Sequence, residues 1–118
     1  MQPRYRDFAK DSLMIKCLGD SPKLRIIDFM LYLPLNDFTK SEIIKETGMS
    51  KRTFYRHFKE LEELEVVVPT RRIAKATLYK VNREHPAVRK LEELVKELSL
   101  QIARQELEKQ AVKVRVKS

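Results

Sequence analysis

Two helix-start signals stand close together in the middle of the chain, with one glycine between them. Thr39-Lys-Ser-Glu42 fits a capping box, in which the Thr39 hydroxyl and the Glu42 carboxylate each satisfy a backbone N–H that a helix start leaves without a partner. Ile43 and Ile44 point the following helix inward, and Gly48 stands where a left-handed residue closes a helix. Ser50 then caps another helix almost at once. Its apolar positions, Phe54, Phe58, Leu61 and Leu64, are spaced 4, 3 and 3 residues apart and fall on one face. Two helices this close, joined by a glycine-containing turn, predict a helix-turn-helix.

The flanks extend this core. Ser12 to Leu18 predicts a short helix ended by Gly19, and Asp20-Ser-Pro22 supplies a cap and a proline for the next one. Leu24, Ile27 and Leu31, with Ile26 and Met30 beside them, give that helix a broad apolar stripe, and Pro34 stops it. After the helix-turn-helix the rhythm changes. Val66-Val-Val68 reads as a strand, Pro69 and the Thr-Arg-Arg stretch break it, and Thr77-Leu-Tyr-Lys-Val81 reads as the returning strand. A two-stranded ribbon with a basic tip in this place is a wing. From Pro86 the chain is helical again. Val88, Leu91, Val95, Leu98 and Ile102 make a narrow coiled-coil-like seam that fades at Gln105 and Lys109. The end, Val112 to Lys117, alternates apolar and basic residues and reads either as a short strand or as a frayed basic end.

The fold class is therefore mainly α with a small β-wing: a winged helix-turn-helix followed by a long C-terminal helix. At 118 residues the chain holds one domain with an extension. We expect a flexible basic arm over 1–11, the winged domain over 12–85, a dimerisation helix over 86–110 and a basic tail over 111–118.

Charge supplies the functional signal. The net charge is +8, and two short stretches without any acid carry nine basic residues. Met49 to Lys59 holds Lys51, Arg52, Arg56 and Lys59; Val66 to Arg83 holds Arg71, Arg72, Lys75, Lys80 and Arg83. Confined in this way, the charge marks the footprint of a polyanion. Other classes find less support. One cysteine, Cys17, and two histidines leave no zinc cluster and no internal disulfide, so no metal or cofactor is expected. Cys17 itself lies in an apolar run and reads as a small core residue. With Gly19 and Gly48 as the sole glycines there is no phosphate-binding glycine loop, and no nucleophile–base pair points to an enzyme. No stretch reaches the ~20 apolar residues of a membrane span, and no signal peptide opens the chain, so a cytoplasmic location is expected. Scarce Gly and Asn beside abundant Lys, Arg and Glu match the composition of thermophile proteins.

The stretch from Gly48 to Val67, with its Ser-Lys-Arg-Thr-Phe-Tyr-Arg-His-Phe-Lys core, resembles the recognition helix of winged helix-turn-helix regulators of the ArsR and MarR type, found in archaea and bacteria. Leu18-Gly-Asp-Ser-Pro-Lys-Leu-Arg-Ile26 is similar to the entry into the first core helix of ArsR-like proteins, so the resemblance spans about residues 12–83. Metal-sensing ArsR members use clustered cysteines. Cys17 stands alone, and the resemblance therefore does not imply metal sensing.

In such a fold the recognition helix lies in the major groove of double-stranded DNA. Phe54, Phe58 and Leu61 turn one face to the core, leaving Ser50, Lys51, Arg52, Tyr55, Arg56 and Lys59 on the other. Lys51, Arg52 and Tyr55 are on the early turns and are the candidates for base contact; Arg52 has the fork that grips guanine O6 and N7. Arg56 and Lys59 are placed to meet phosphate, and Ser50 to cap a helix start that offers its N–H groups to one. Thr39 and Lys40 are candidates for the DNA backbone, and Arg71, Arg72 and Lys75 for a wing contact in the adjacent minor groove. The seam Val88, Leu91, Val95, Leu98 and Ile102 either pairs with a second copy, the favoured reading, or folds back on its own domain. The rival functions are a winged helix used for protein contact and an RNA-binding or ribosome-associated one.

Overall fold

The computed structural model describes Tyr5 and residues 12–117, with side chains through Lys113. Its elements are α1 (Leu13–Leu18), α2 (Pro22–Tyr32), β1 (Phe38–Thr39), α3 (Lys40–Thr47), α4 (Lys51–Glu63), β2 (Val67–Ile73), β3 (Ala76–Val81) and α5 (Pro86–Lys117). This is mainly α with a small antiparallel sheet of order β1-β3-β2.

Local chemistry sets the helix starts. Ser12, Ser21, Thr39 and Ser50 each accept a hydrogen bond from a backbone N–H three residues on. The capping box at Thr39 is complete: Glu42 N–H donates to Thr39 Oγ1, and Thr39 N–H donates to Glu42 Oε1, both at 3.2 Å. Gly48 closes α3 in the left-handed region, at φ 71°. α4 ends in a Schellman motif, with Val66 N–H donating to the Leu61 carbonyl and Glu65 N–H to that of Glu62. Glu65 occupies the left-handed position there, at φ 60°, where glycine is the usual residue.

The core joins all the elements. Phe54 and Phe58 stack with ring centroids 4.8 Å apart, and Tyr79 of β3 meets Phe58 edge-on at 5.0 Å. Ile26, Phe29 and Met30 of α2, Ile43 of α3, Val67 and Val81 of the sheet, and Met14 of α1 complete it. Three polar side chains are buried among the described residues: Ser12, Asp28 and Thr47. Asp28 is 6% exposed and accepts hydrogen bonds from the hydroxyls of Tyr5 and Ser12. Burial, and then the bond to Asp28, push the Tyr5 hydroxyl well above its ordinary pKa, so it keeps its proton as donor.

Several expectations are corrected. Of the arm expected over 1–11, only Tyr5 is described, and it is buried in the core; the rest lies outside the described residues. Cys17 is exposed, because the short α1 buries Met14 and turns its last residues to solvent. Leu64, at the C-cap of α4, is exposed as well. Pro69 does not break its strand. β2 runs on to Ile73 as an edge of the sheet, where a residue without an N–H is tolerated, and a bulge between Pro69 and Arg71 absorbs the misfit. The two-residue β1, paired Phe38 to Tyr79 and Thr39 to Leu78, adds a third strand to the expected two. The helix expected to end near 110 continues to Lys117, so the tail is helical and not a strand over that length.

The left-handed glutamate gives a direct test of the α4 terminus. Glu65→Gly removes the side-chain clash of that conformation and should stabilise the protein by about 1 kcal/mol in urea unfolding. An unchanged midpoint would show that the strain is relieved in another way.

Candidate nucleic-acid interface

α4 presents two chemically opposite faces. Phe54, Phe58 and Leu61 are buried, while Lys51, Arg52, Tyr55, Arg56 and Lys59 are exposed. Lys40, at the start of α3, reaches this helix, with its ammonium 5.6 Å from the Tyr55 ring centroid. Ser50 serves its own helix. Its hydroxyl accepts from Thr53 N–H at 3.2 Å and donates to Thr53 Oγ1 at 2.9 Å.

The two residues expected at the DNA backbone already have partners inside the protein. Thr39 Oγ1 caps α3, and the Lys40 ammonium lies 5.4 to 5.6 Å from the ring centroids of Tyr55, Phe58 and Tyr79. Glu62 faces the same ammonium at 3.7 Å. Beside it a cleft of about 260 Å³, lined by Thr39, Lys40, Ser41, Ala76, Thr77 and Tyr79, separates the start of α3 from the wing. Ser41 and Thr77 carry no sequence signal for this place, since only the sheet pairing brings them together.

The wing splits its cations. Ala74 and Lys75 form the turn, with Ala74 left-handed at φ 54°, so Arg71 and Arg72 sit on the strand and Lys75 alone is at the tip. Arg71 is opposite Leu78 and Arg72 opposite Thr77. Directly opposed residues share a face, so Arg72 is on the face of Thr77 and Tyr79, and Arg71 is on the other. Arg71 is also engaged. Its Nε and Nη2 donate to the two oxygens of Asp37, at 2.9 and 3.1 Å, and Thr70 Oγ1 donates to the same carboxylate at 2.7 Å. These bonds, Arg71 first and Thr70 second, hold the Asp37 carboxyl below its ordinary pKa. Arg83 is likewise taken, by Glu92 at 2.9 and 3.2 Å. Lys51, Arg52, Arg56, Lys59, Arg72 and Lys75 remain exposed and form no salt bridge among the described residues.

The expected seam on α5 also divides. Val88 is 0% exposed in its own core and offers nothing to a partner. Leu91 and Val95 pack on that core, Leu98 is half-buried and Ile102 is exposed. From Ser99 to Lys113 every residue is exposed, including Leu100, Leu107 and Val112. Among the described residues no group of three or more His, Cys, Asp or Glu side chains is placed to hold a metal ion, and no helix is long and apolar enough to cross a membrane.

A capped helix pair with a tight glycine turn, followed by a two-stranded ribbon, is a winged helix-turn-helix. Solved structures share that fold. A possible transcriptional regulator from Methanosarcina mazei is 20% identical over 81% of this chain and 84% of its own, with a TM-score of 0.51. The transcriptional repressor BigR from Xylella fastidiosa is 18% identical over 82% of this chain and 91% of its own, with a TM-score of 0.55. A homodimeric winged helix-turn-helix DNA-binding domain from Mycobacterium bovis, a possible ArsR-family transcriptional regulator, is 21% identical over 84% and 88%, at 0.50. No family model and no curated protein sequence matches the chain.

The Arg71–Asp37 clasp has a pH signature. Because the folded-state pKa of Asp37 is lowered, its contribution is present above the unfolded-state value and is lost as pH falls through the folded one. A carboxyl NMR titration should find Asp37 below the ordinary aspartate range in the wild type and returned towards it in Arg71→Ala. A titration that does not move would show that the clasp does not form in solution.

Proposed function

We propose that the chain is a sequence-specific, double-stranded DNA-binding transcriptional regulator that works as a homodimer. One observation carries the reading. Six cations that form no salt bridge among the described residues stand on the outward face of α4 and on the wing, and α4 turns its apolar stripe into the core. With α4 in the major groove, Lys51, Arg52 and Tyr55 on its first turns face base edges, and Arg56 and Lys59 face phosphates. Arg72 and Lys75 extend the contact to the adjacent minor groove or its backbone. The fold shared with DNA-binding regulators supports the same reading.

The dimer rests on α5. Its distal part is exposed at every residue from Ser99 to Lys113, and an isolated helix of that length is marginal in water. A second copy covering Leu98, Ile102 and their neighbours supplies a contact for it. Two copies set two α4 helices on successive major grooves, ~34 Å apart, and so require an inverted repeat.

Selection of bound sequences from a random duplex library tests the whole reading, with an enriched palindrome as the expected result. On the selected duplex, Arg52→Ala should lose preference by roughly tenfold or more, the worth of one bidentate base contact. Arg72→Ala with Lys75→Ala should instead weaken all sequences and flatten the salt dependence, which for about six phosphate contacts is roughly three decades of affinity between 50 and 200 mM. Equal loss on selected and random DNA would remove Arg52 as a reader. Ile102→Glu should halve the mass seen in sedimentation; an unaltered mass places the second copy elsewhere.

A further inference from the structure

We propose that Lys40 is a positioning residue for base recognition, acting through Tyr55, and not a ligand of the DNA backbone; this rests on the DNA reading above. Lys40 opens α3, and its ammonium is shared among three rings from two elements: Tyr55 at 5.6 Å, Phe58 at 5.5 Å and Tyr79 at 5.4 Å. A ring face is the negative part of an aromatic quadrupole, so each of the three attracts the cation. Glu62 supplies the countercharge from the next turn of α4, at 3.7 Å. To reach a phosphate the ammonium would have to leave all four partners, and the nearby carboxylate already cancels much of its pull on one.

Tyr55 differs from the other two rings. Phe58 and Tyr79 are buried and hold one another edge-on. Tyr55 is 50% exposed and stands on the outward face of α4, one turn after Lys51 and Arg52. Two groups orient its ring: Phe54, edge-on at 5.5 Å, and the Lys40 ammonium. An exposed tyrosine on a helix has more than one rotamer open to it, and the cation selects the one leaning towards α3. The Tyr55 hydroxyl has no hydrogen-bond partner among the described residues and is left for the nucleic acid. Lys40 thereby fixes where that hydroxyl points.

The test compares wild type and Lys40→Met on the library-selected duplex and on a scrambled one, each between 50 and 200 mM salt. Methionine keeps the apolar stem against the rings and removes the charge. Positioning predicts a loss of about tenfold on the selected duplex, little on the scrambled one, and an unchanged salt slope. It also predicts that Lys40→Arg retains the preference and that Lys40→Met adds nothing in a Tyr55→Ala background. Lys40→Gln reads the same split should the methionine variant not fold. Equal losses on both duplexes with a slope shallower by about one would make Lys40 a phosphate ligand and overturn the proposal. Undiminished preference in Lys40→Met would overturn it too. A wild type that selects no duplex would instead sink the DNA reading, so the two failures are distinct.

Discussion

The stacked rings of Phe54 and Phe58 lock α4 to the core, and the rest of the interface is oriented by that contact. Removing either ring would cost about 3–5 kcal/mol, a large share of a small domain's stability. Because side chains three and four apart share a helix face, burying these two and Leu61 puts Arg52, Arg56 and Lys59 on the opposite face, with Lys51 and Tyr55 exposed at its flank. Tyr79 rests edge-on against Phe58, so the wing is referred to the same pair. Burial of one apolar stripe thus sets both which cations face outward and where the ribbon stands.

Charge is sorted around this frame. Lys40, Arg71 and Arg83 face Glu62, Asp37 and Glu92, and Lys23 faces Glu60. Exposed pairs of this kind are screened by solvent and contribute little stability. Their consequence is geometric. Asp37 with Arg71 and Thr70 ties the wing to the segment before α3, and Lys40 bridges α3, α4 and β3. Lys51, Arg52, Arg56, Lys59, Arg72 and Lys75 form no salt bridge among the described residues and stand on the outward side of α4 and on the wing.

The N- and C-terminal parts meet away from that surface. Asp28, inside α2, draws in the hydroxyls of Tyr5 and Ser12, and α5 crosses α1 with Val88 seated in the core. A buried carboxylate is costly unless hydrogen-bonded, which gives Tyr5 a specific place despite its distance in sequence. α5 is therefore two things in one helix. Its first turns are part of the winged domain, and its distal turns are exposed apolar and charged surface.

The local signals were legible. The caps at Ser21, Thr39 and Ser50, the left-handed Gly48 and the Phe54–Phe58 spacing depend on residues within a few positions of one another, so sequence by itself determined these helix starts, the tight turn and the outward face of α4. Burial of Tyr5, the passage of β2 through Pro69, the clasp of Arg71 on Asp37, the strap of Lys40 and the loss of Val88 to the core were decided only by the tertiary structure. Each depends on a partner brought near by sheet register or helix packing, and side-chain periodicity shows that a face is apolar or charged without showing what will stand against it.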